Sequence, residues 1–197
     1  MAPREAPARG GGLGGAVDLS HHFLQGVVRS GDGVVDATCG RGRDTLFLAR
    51  LVGTEGKVWA FDVQARALET AGILLEGEGC LDRVHLLHAG HERLAELVRE
   101  QVKAVVFNLG FLPGAGGDVK TSPFTTVEAL VQASDLLLPG GIITVSIYTG
   151  HEGGLEEADA VESWARRLPF AGFNAWRSSQ LNRSPAAPYL VLVEKAG

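Results

Sequence analysis

Short apolar runs alternate along the chain with longer stretches in which apolar residues return at helical spacing, and this predicts a succession of strands and helices. LSHHFLQGVVR predicts a helix from Leu19 to Arg29, with Ser20 as N-cap, lying across the sheet edge before the first strand. That strand ends at Asp36 and leads to a helix from Asp44 to Leu51. Strand Lys57 to Phe61 leads to helix Ala65 to Glu76, and strand Arg83 to His88 to helix Glu92 to Glu100. Strand Ala104 to Asn108 leads to a loop and helix Pro123 to Leu138, and strand Gly141 to Tyr148 to helix Leu155 to Leu168. Strands separated by helices in this way form a parallel sheet covered on both faces. The last apolar segments, Ala175 to Leu181 and Tyr189 to Glu194, are joined by a Pro-containing turn without a helix, which predicts an antiparallel pair.

The organising stretch is VVDATCGRGRDTLFLA, Val34 to Ala49: an apolar strand ending in an acid, a small-residue turn, then a helical pattern. Glycines let backbone approach a ligand closely, and the helix start behind them offers unpaired N–H groups. Asp62 stands where the second strand ends and is positioned to accept ribose hydroxyls. The dinucleotide fingerprint requires a third glycine, but Gly42 is followed by Arg43, Asp44 and Thr45. The S-adenosylmethionine pattern, acid-x-Gly-x-Gly-x-Gly, fits Asp36 to Gly42 with Thr38 in place of the first glycine. Asp36 is then expected beside the methionine amino group. The expected fold is α/β, the class I S-adenosylmethionine-dependent methyltransferase (Rossmann-like) fold, a seven-stranded sheet in order 3-2-1-4-5-7-6 with strand 7 antiparallel.

Composition narrows the classes. The chain has 197 residues, 45% hydrophobic and 21% charged, as in an ordinary globular domain. A net charge of -5 argues against broad, sequence-blind nucleic-acid binding, though not against a local basic patch. Cys39 and Cys80 have no metal-ligand spacing, so no metal is expected and a reducing compartment is the default. No apolar run is long enough to span a bilayer. Residues 1–16 read as a disordered Pro/Gly/Ala tail, and 17–197 as one domain. Arg4 and Arg9 leave a plastid or other organelle open beside a cytoplasmic location.

In an open sheet of this kind ligands gather beyond the carboxyl ends of the strands. There stand Asp36, Asp62, the His88 to His91 stretch, Asn108, and Tyr148 with His151 after it. VFNLGFLPG, Val106 to Gly114, resembles the Asn-Pro-Pro-Tyr-type motif of methyltransferases acting on nitrogen, with Leu109 and Gly110 in place of the prolines. An amine nucleophile needs its N–H groups held to the side by acceptors, here the Asn108 oxygen and a carbonyl at Leu109 or Gly110. Phe111 is suited to stacking on a planar base.

DATCGRGRDTLFLA, FDVQ, HAGHE, FNLGFLPGAGGDVKT, YTGHEGG and NRSPAAPYLVLVEK, in this order, resemble the small bacterial and plastid rRNA methylase-type proteins now regarded as MnmM-type tRNA methyltransferases. The likeness runs from about Leu19 to Lys195; PGAGGDVKT is longer than that family's usual PGGDK. It implies methyl transfer from S-adenosylmethionine to the amine of 5-aminomethyl-(2-thio)uridine at the wobble position 34 of tRNA. Cofactor contacts would come from Asp36, Thr38, Gly40, Gly42, Asp44, Thr45, Asp62, Val63, Gln64, Gly90, His91 and Asn108. Asn108, Leu109, Gly110 and His151 would be catalytic, His151 as base or as positioning group. Substrate contacts would come from His22, Phe111, Pro113, Asp118, Lys120, Tyr148, Asn182 and Arg183. The anticodon stem-loop is the implied partner, with Arg41, Arg43, Lys120, Arg177 and Arg183 for its phosphates and a homodimer to widen the surface. An rRNA or small-molecule amine acceptor, or a non-catalytic binding module, are the alternatives.

Overall fold

Val- and Ile-rich runs bounded by glycine turns form the strands, and the amphipathic stretches between them form the helices. The computed structural model describes residues 14–110 and 121–197. In chain order the elements are α1 (Ala16–Val27), β1 (Gly33–Asp36), α2 (Arg43–Val52), β2 (Lys57–Asp62), α3 (Ala65–Gly77), β3 (Val84–His88) and α4 (Leu94–Leu97). Then follow β4 (Val102–Asn108), α5 (Pro123–Leu136), β5 (Leu137–Ile147), α6 (Gly154–Arg167), β6 (Phe173–Ser178) and β7 (Tyr189–Lys195).

Among the described residues the strands form one seven-stranded sheet in the order β3-β2-β1-β4-β5-β7-β6. The pairs from β3 across to β5 are parallel, and β7 runs antiparallel to both β5 and β6. This is the expected order. Adjacent strand residues point to opposite faces, so Val34 and Val35 belong to different cores. Val34, Ala60 and Val106 pack with Leu24 of α1, Leu48 of α2 and Leu75 of α3. Val35, Phe61 and Phe107 pack on the other face with Leu94 of α4, Leu130 of α5 and Trp164 of α6. Each large side chain so buried contributes roughly 1.5–3 kcal/mol. The chain order reverses between β1 and β4, which opens a crevice at their carboxyl ends.

Several boundaries differ from expectation. The first helix begins at Ala16, inside the expected tail, so Ser20 lies a turn into α1 and is no cap. Its hydroxyl is buried and donates to Thr144 Oγ1 of β5 at 2.8 Å, because α1 lies on the sheet. The helix expected from Glu92 to Glu100 shrinks to a 3-10 turn, His91–Arg93, and the single turn of α4. Val98 ends it in extended conformation, fully buried, as the chain drops to β4. β6 starts at Phe173 and ends at Ser178, where its pairing with Leu190 stops.

Candidate active site

The turn after β1 is built on Asp36. This carboxylate is fully buried and accepts the Thr38 N–H at 3.1 Å and the Thr45 hydroxyl at 2.6 Å. Burial, and then the nearby Asp44 charge, push its pKa up to about 7. Asp36 therefore ties the turn down from beneath and does not reach the cleft surface, contrary to the expected contact with the methionine amino group. Thr45, also fully buried, shares that role. Gly42 faces α3: a Cβ on it would stand 2.7 Å from the Ala71 Cβ, and its φ is 80°. It is required for helix packing, not for ligand approach. Thr38, Gly40, Arg41, Arg43 and Asp44 line the cleft.

At the tip of β2, Asp62 accepts the Gly40 N–H on Oδ2 and the Gln64 N–H on Oδ1, each at 2.8 Å. These bonds fix the two tips against each other and leave Asp62, Val63 and Gln64 on the cleft wall. From the tip of β3, Gly90 and His91 line the same wall. His91 is buried and its Nδ1–H donates to the Ala37 carbonyl at 3.2 Å, leaving Nε2 as an acceptor with no partner among the described residues. Burial lowers its pKa, so the ring is neutral near pH 7. His88, by contrast, is exposed and bonded to the Val63 carbonyl.

The other wall is the tip of β4. The Asn108 N–H donates to Thr38 Oγ1 at 2.7 Å, and its side-chain Nδ2 donates to Asp44 Oδ2 at 3.3 Å. A carboxylate only accepts, so it takes the amide nitrogen and leaves the Asn108 oxygen as that side chain's acceptor. Asp44 Oδ1 receives His21 Nε2 at 2.8 Å, and the His21 ring is stacked on Phe47 at 3.7 Å. The Leu109 N–H donates to the Ser146 carbonyl at 3.1 Å, and the Gly110 N–H to Thr121 Oγ1 at 3.1 Å. Tyr148 and His151 complete this wall. Burial and the Asp44 charge raise the Tyr148 pKa, which keeps the phenol protonated.

Asn108, Leu109, Gly110, His151, Thr38, Gly40, Asp44, Asp62, Val63, Gln64, Gly90, His91 and Tyr148 thus share one cleft of about 760 Å³, whereas Asp36, Gly42 and Thr45 lie behind it. Phe111, Pro113, Asp118 and Lys120 fall outside the described residues. His22 is exposed and does not line the cleft; of the adjacent pair it is His21 that bonds to a cleft residue, Asp44. Asn182 and Arg183 are exposed in the β6–β7 turn and do not line the cleft. That turn still meets the rim, because the Thr149 hydroxyl donates to the Ala186 carbonyl at 3.3 Å. Arg177 lies 4.2 Å over the Tyr189 ring and 3.4 Å from Glu162, so it is spent on packing β6 against α6. Ser122 and Thr125 also line the cleft and carry no sequence signal of their own, and Glu92, which closes the HAGHE stretch, lines it too. No group of His, Cys, Asp and Glu among the described residues is arranged to hold a metal ion.

The arrangement suits a nucleoside-bearing sulfonium donor. It has a left-handed glycine turn, a carboxylate at the second tip and a neutral imidazole acceptor on the third. It also has an Asn-bearing tip whose side-chain oxygen is left to accept. The sequence profile of the family described as "Putative rRNA methylase" matches residues 58–194. A curated relative, the chloroplastic tRNA (mnm(5)s(2)U34)-methyltransferase of Arabidopsis thaliana, is 38% identical over 190 residues, 91% of this chain and 69% of that protein. The crystal structure of a "putative rRNA-methylase" from Clostridium thermocellum is 40% identical with a TM-score of 0.90, covering 93% of this chain and 99% of that one. A "putative methyltransferase" from Streptococcus mutans in complex with SAH is 36% identical with a TM-score of 0.83, over 91% and 97% of the two chains. The chain belongs to this rRNA methylase family and is a methyltransferase of the class I, S-adenosylmethionine-dependent fold.

Proposed function

We propose that the chain methylates the exocyclic amine of 5-aminomethyl-(2-thio)uridine at wobble position 34 of tRNA, using S-adenosylmethionine. The observation that carries this is Asn108, held by Asp44 and Thr38 at the fourth strand tip, beside a cradle made by the first three. The plant relative's named activity supplies the acceptor. Bound there, the cofactor supplies an electrophilic methyl group on a sulfonium. Thr38 and Gly40 take its methionine part, Asp62 the ribose, and Gly90 with His91 the adenine edge. The Asn108 oxygen and the Leu109 carbonyl orient the amine so that its lone pair lies in line with the methyl carbon.

A free alkylamine is mostly protonated at neutral pH and has no lone pair to offer, so the site must favour the neutral form. His151 stands on the acceptor wall against Gly110, 3.4 Å from where a Cβ on that glycine would lie, and takes the departing proton. Tyr148 packs on the wobble base, and Arg41 and Arg43 at the mouth meet phosphates of the anticodon stem-loop.

The test is mass spectrometry of tRNA nucleosides after incubation of hypomodified tRNA with S-adenosylmethionine and the protein. Methylated 5-aminomethyl-2-thiouridine is expected with the native chain. Asn108→Ala is expected to lower transfer by about 100-fold or more while S-adenosylhomocysteine still binds. Methylation confined to a small-molecule amine, or undiminished turnover by the variant, contradicts the reading.

A further inference from the structure

A second buried carboxylate lies behind the acceptor wall. Glu157 of α6 is only 3% exposed, in a place where an ionised group is costly unless every lone pair is engaged. Thr126 of α5 donates its hydroxyl to Oε1 at 2.6 Å, and Thr121 donates its hydroxyl to Oε2 at 2.7 Å. Because the single proton of Thr121 is committed to the carboxylate, its oxygen is left to accept, and it accepts the Gly110 N–H at 3.1 Å. The Thr121 N–H returns a bond to the Gly110 carbonyl at 3.3 Å. Glu157, Thr121 and Gly110 thus form one directional chain from α6 to the segment that begins at Asn108.

We propose that Glu157 is a positioning residue for methyl transfer. Its carboxylate, acting through Thr121, locks Gly110 and thereby the geometry of the Asn108–Leu109–Gly110 tip against the acceptor. This rests on the function proposed above. The N–H groups of that tip have named partners: Thr38 for Asn108, Ser146 for Leu109 and Thr121 for Gly110. Thr38 stands in the turn after β1 and Ser146 in β5, and no α6 side chain bonds to either among the described residues. The third depends on the orientation of one hydroxyl, and Glu157 sets it. A purely structural packing role would be met as well by an apolar side chain, whereas a satisfied polar network specifies one arrangement. Thr121, Ser122 and Thr125 line the cleft, so the clamp acts at the rim and not at a remote core.

The experiment compares steady-state transfer to hypomodified tRNA with calorimetric binding of S-adenosylhomocysteine, for the native chain, Glu157→Gln, Thr121→Val, Thr121→Ser and the Glu157→Gln/Thr121→Val pair. Transfer by the native chain is the first readout, and its absence would overturn the functional reading itself, whatever the variants do. Given transfer, Glu157→Gln and Thr121→Val are each expected to lower kcat by about 10- to 100-fold, the factor matching one hydrogen bond to a charged group. S-adenosylhomocysteine affinity is expected to stay at the native value, because the donor cradle lies on β1, β2 and β3. Thr121→Ser keeps the hydroxyl and is expected to restore kcat. The double variant is expected to be no worse than the worse single one, since both break the same chain. Native kcat in the two single variants, additive losses, or an equal loss of product affinity would overturn the clamp and leave the functional reading standing. Thr121→Val keeps side-chain volume at a half-buried site, so it remains informative if Glu157→Gln folds poorly.

Discussion

Asp36, Asp44 and Asp62 are three carboxylates within one turn and its neighbouring tip, and the structure gives them different work. Asp36 is sealed under the turn, Asp62 braces it from the second strand, and Asp44 faces the acceptor wall with Asn108 and His21 as partners. The difference follows from burial. Asp36 has a pKa of about 7 when folded, raised above the ordinary carboxylate value by desolvation, so the native state holds its proton more tightly than the unfolded chain. The linkage sign follows: this group favours the folded state at low pH, and its contribution is lost as pH rises from the ordinary carboxylate range through about 7. Asp36→Asn removes that titration. Urea midpoints measured from pH 4 to pH 8 are expected to show the native chain losing stability relative to Asp36→Asn over that window. Parallel pH dependence in the two proteins would show that Asp36 is not buried as described.

An acid at each strand end is visible in DATCG and FDVQ, and so is an Asn in FNLG, because strand ends follow from where apolar runs stop. Whether the side chain rises into the cleft or folds under its own turn depends on atoms from elsewhere in the chain. Asp36 goes under because the Thr45 hydroxyl arrives from α2 to meet it, and Gly42 turns to α3 because Ala71 fills the space beside it. Glu157 was invisible for the same reason: on α6 it reads as one more acid of a polar helix, and only Thr121 and Thr126 give it a meaning.

At the scale of elements, α1 carries more than its amphipathic pattern indicates. It begins at Ala16, lays Leu24 on the sheet, buries Ser20 against β5 and brings His21 to Asp44. Adjacent histidines on one helix diverge: the sequence points to His22, whereas it is His21 that stacks on Phe47 of α2 and bonds to Asp44. If α1 is docked in this way, Ser20→Ala leaves the Thr144 hydroxyl buried without its donor and costs about 1–2 kcal/mol, read as a lowered urea midpoint. An unchanged midpoint would mean that α1 does not sit on β5. The short α4 and shifted β6 were missed because local periodicity does not register where a chain must turn inward, as Val98 does.

For the whole molecule, strand order was legible because helices between strands force parallel pairing, and the Pro-containing turn before Tyr189 does not permit a crossover. That topology places the reversal between β1 and β4 and so puts Thr38, Asp44, Asp62 and Asn108 around one crevice, although they come from three separate segments. The described part carries no helix long and apolar enough to cross a membrane. The basic side chains at the crevice mouth, Arg41 and Arg43, are local features of a chain whose net charge is -5. Under the proposed function, this fits recognition of one RNA feature better than general affinity for the polymer.

A crystal structure of the protein with S-adenosylhomocysteine tests the central claim most directly. The product is expected with its ribose on Asp62, its adenine beside His91, and its sulfur directed at the Asn108 tip. A ribose away from Asp62, or a sulfur turned away from Asn108, would contradict the assignment of this crevice to methyl transfer onto nitrogen.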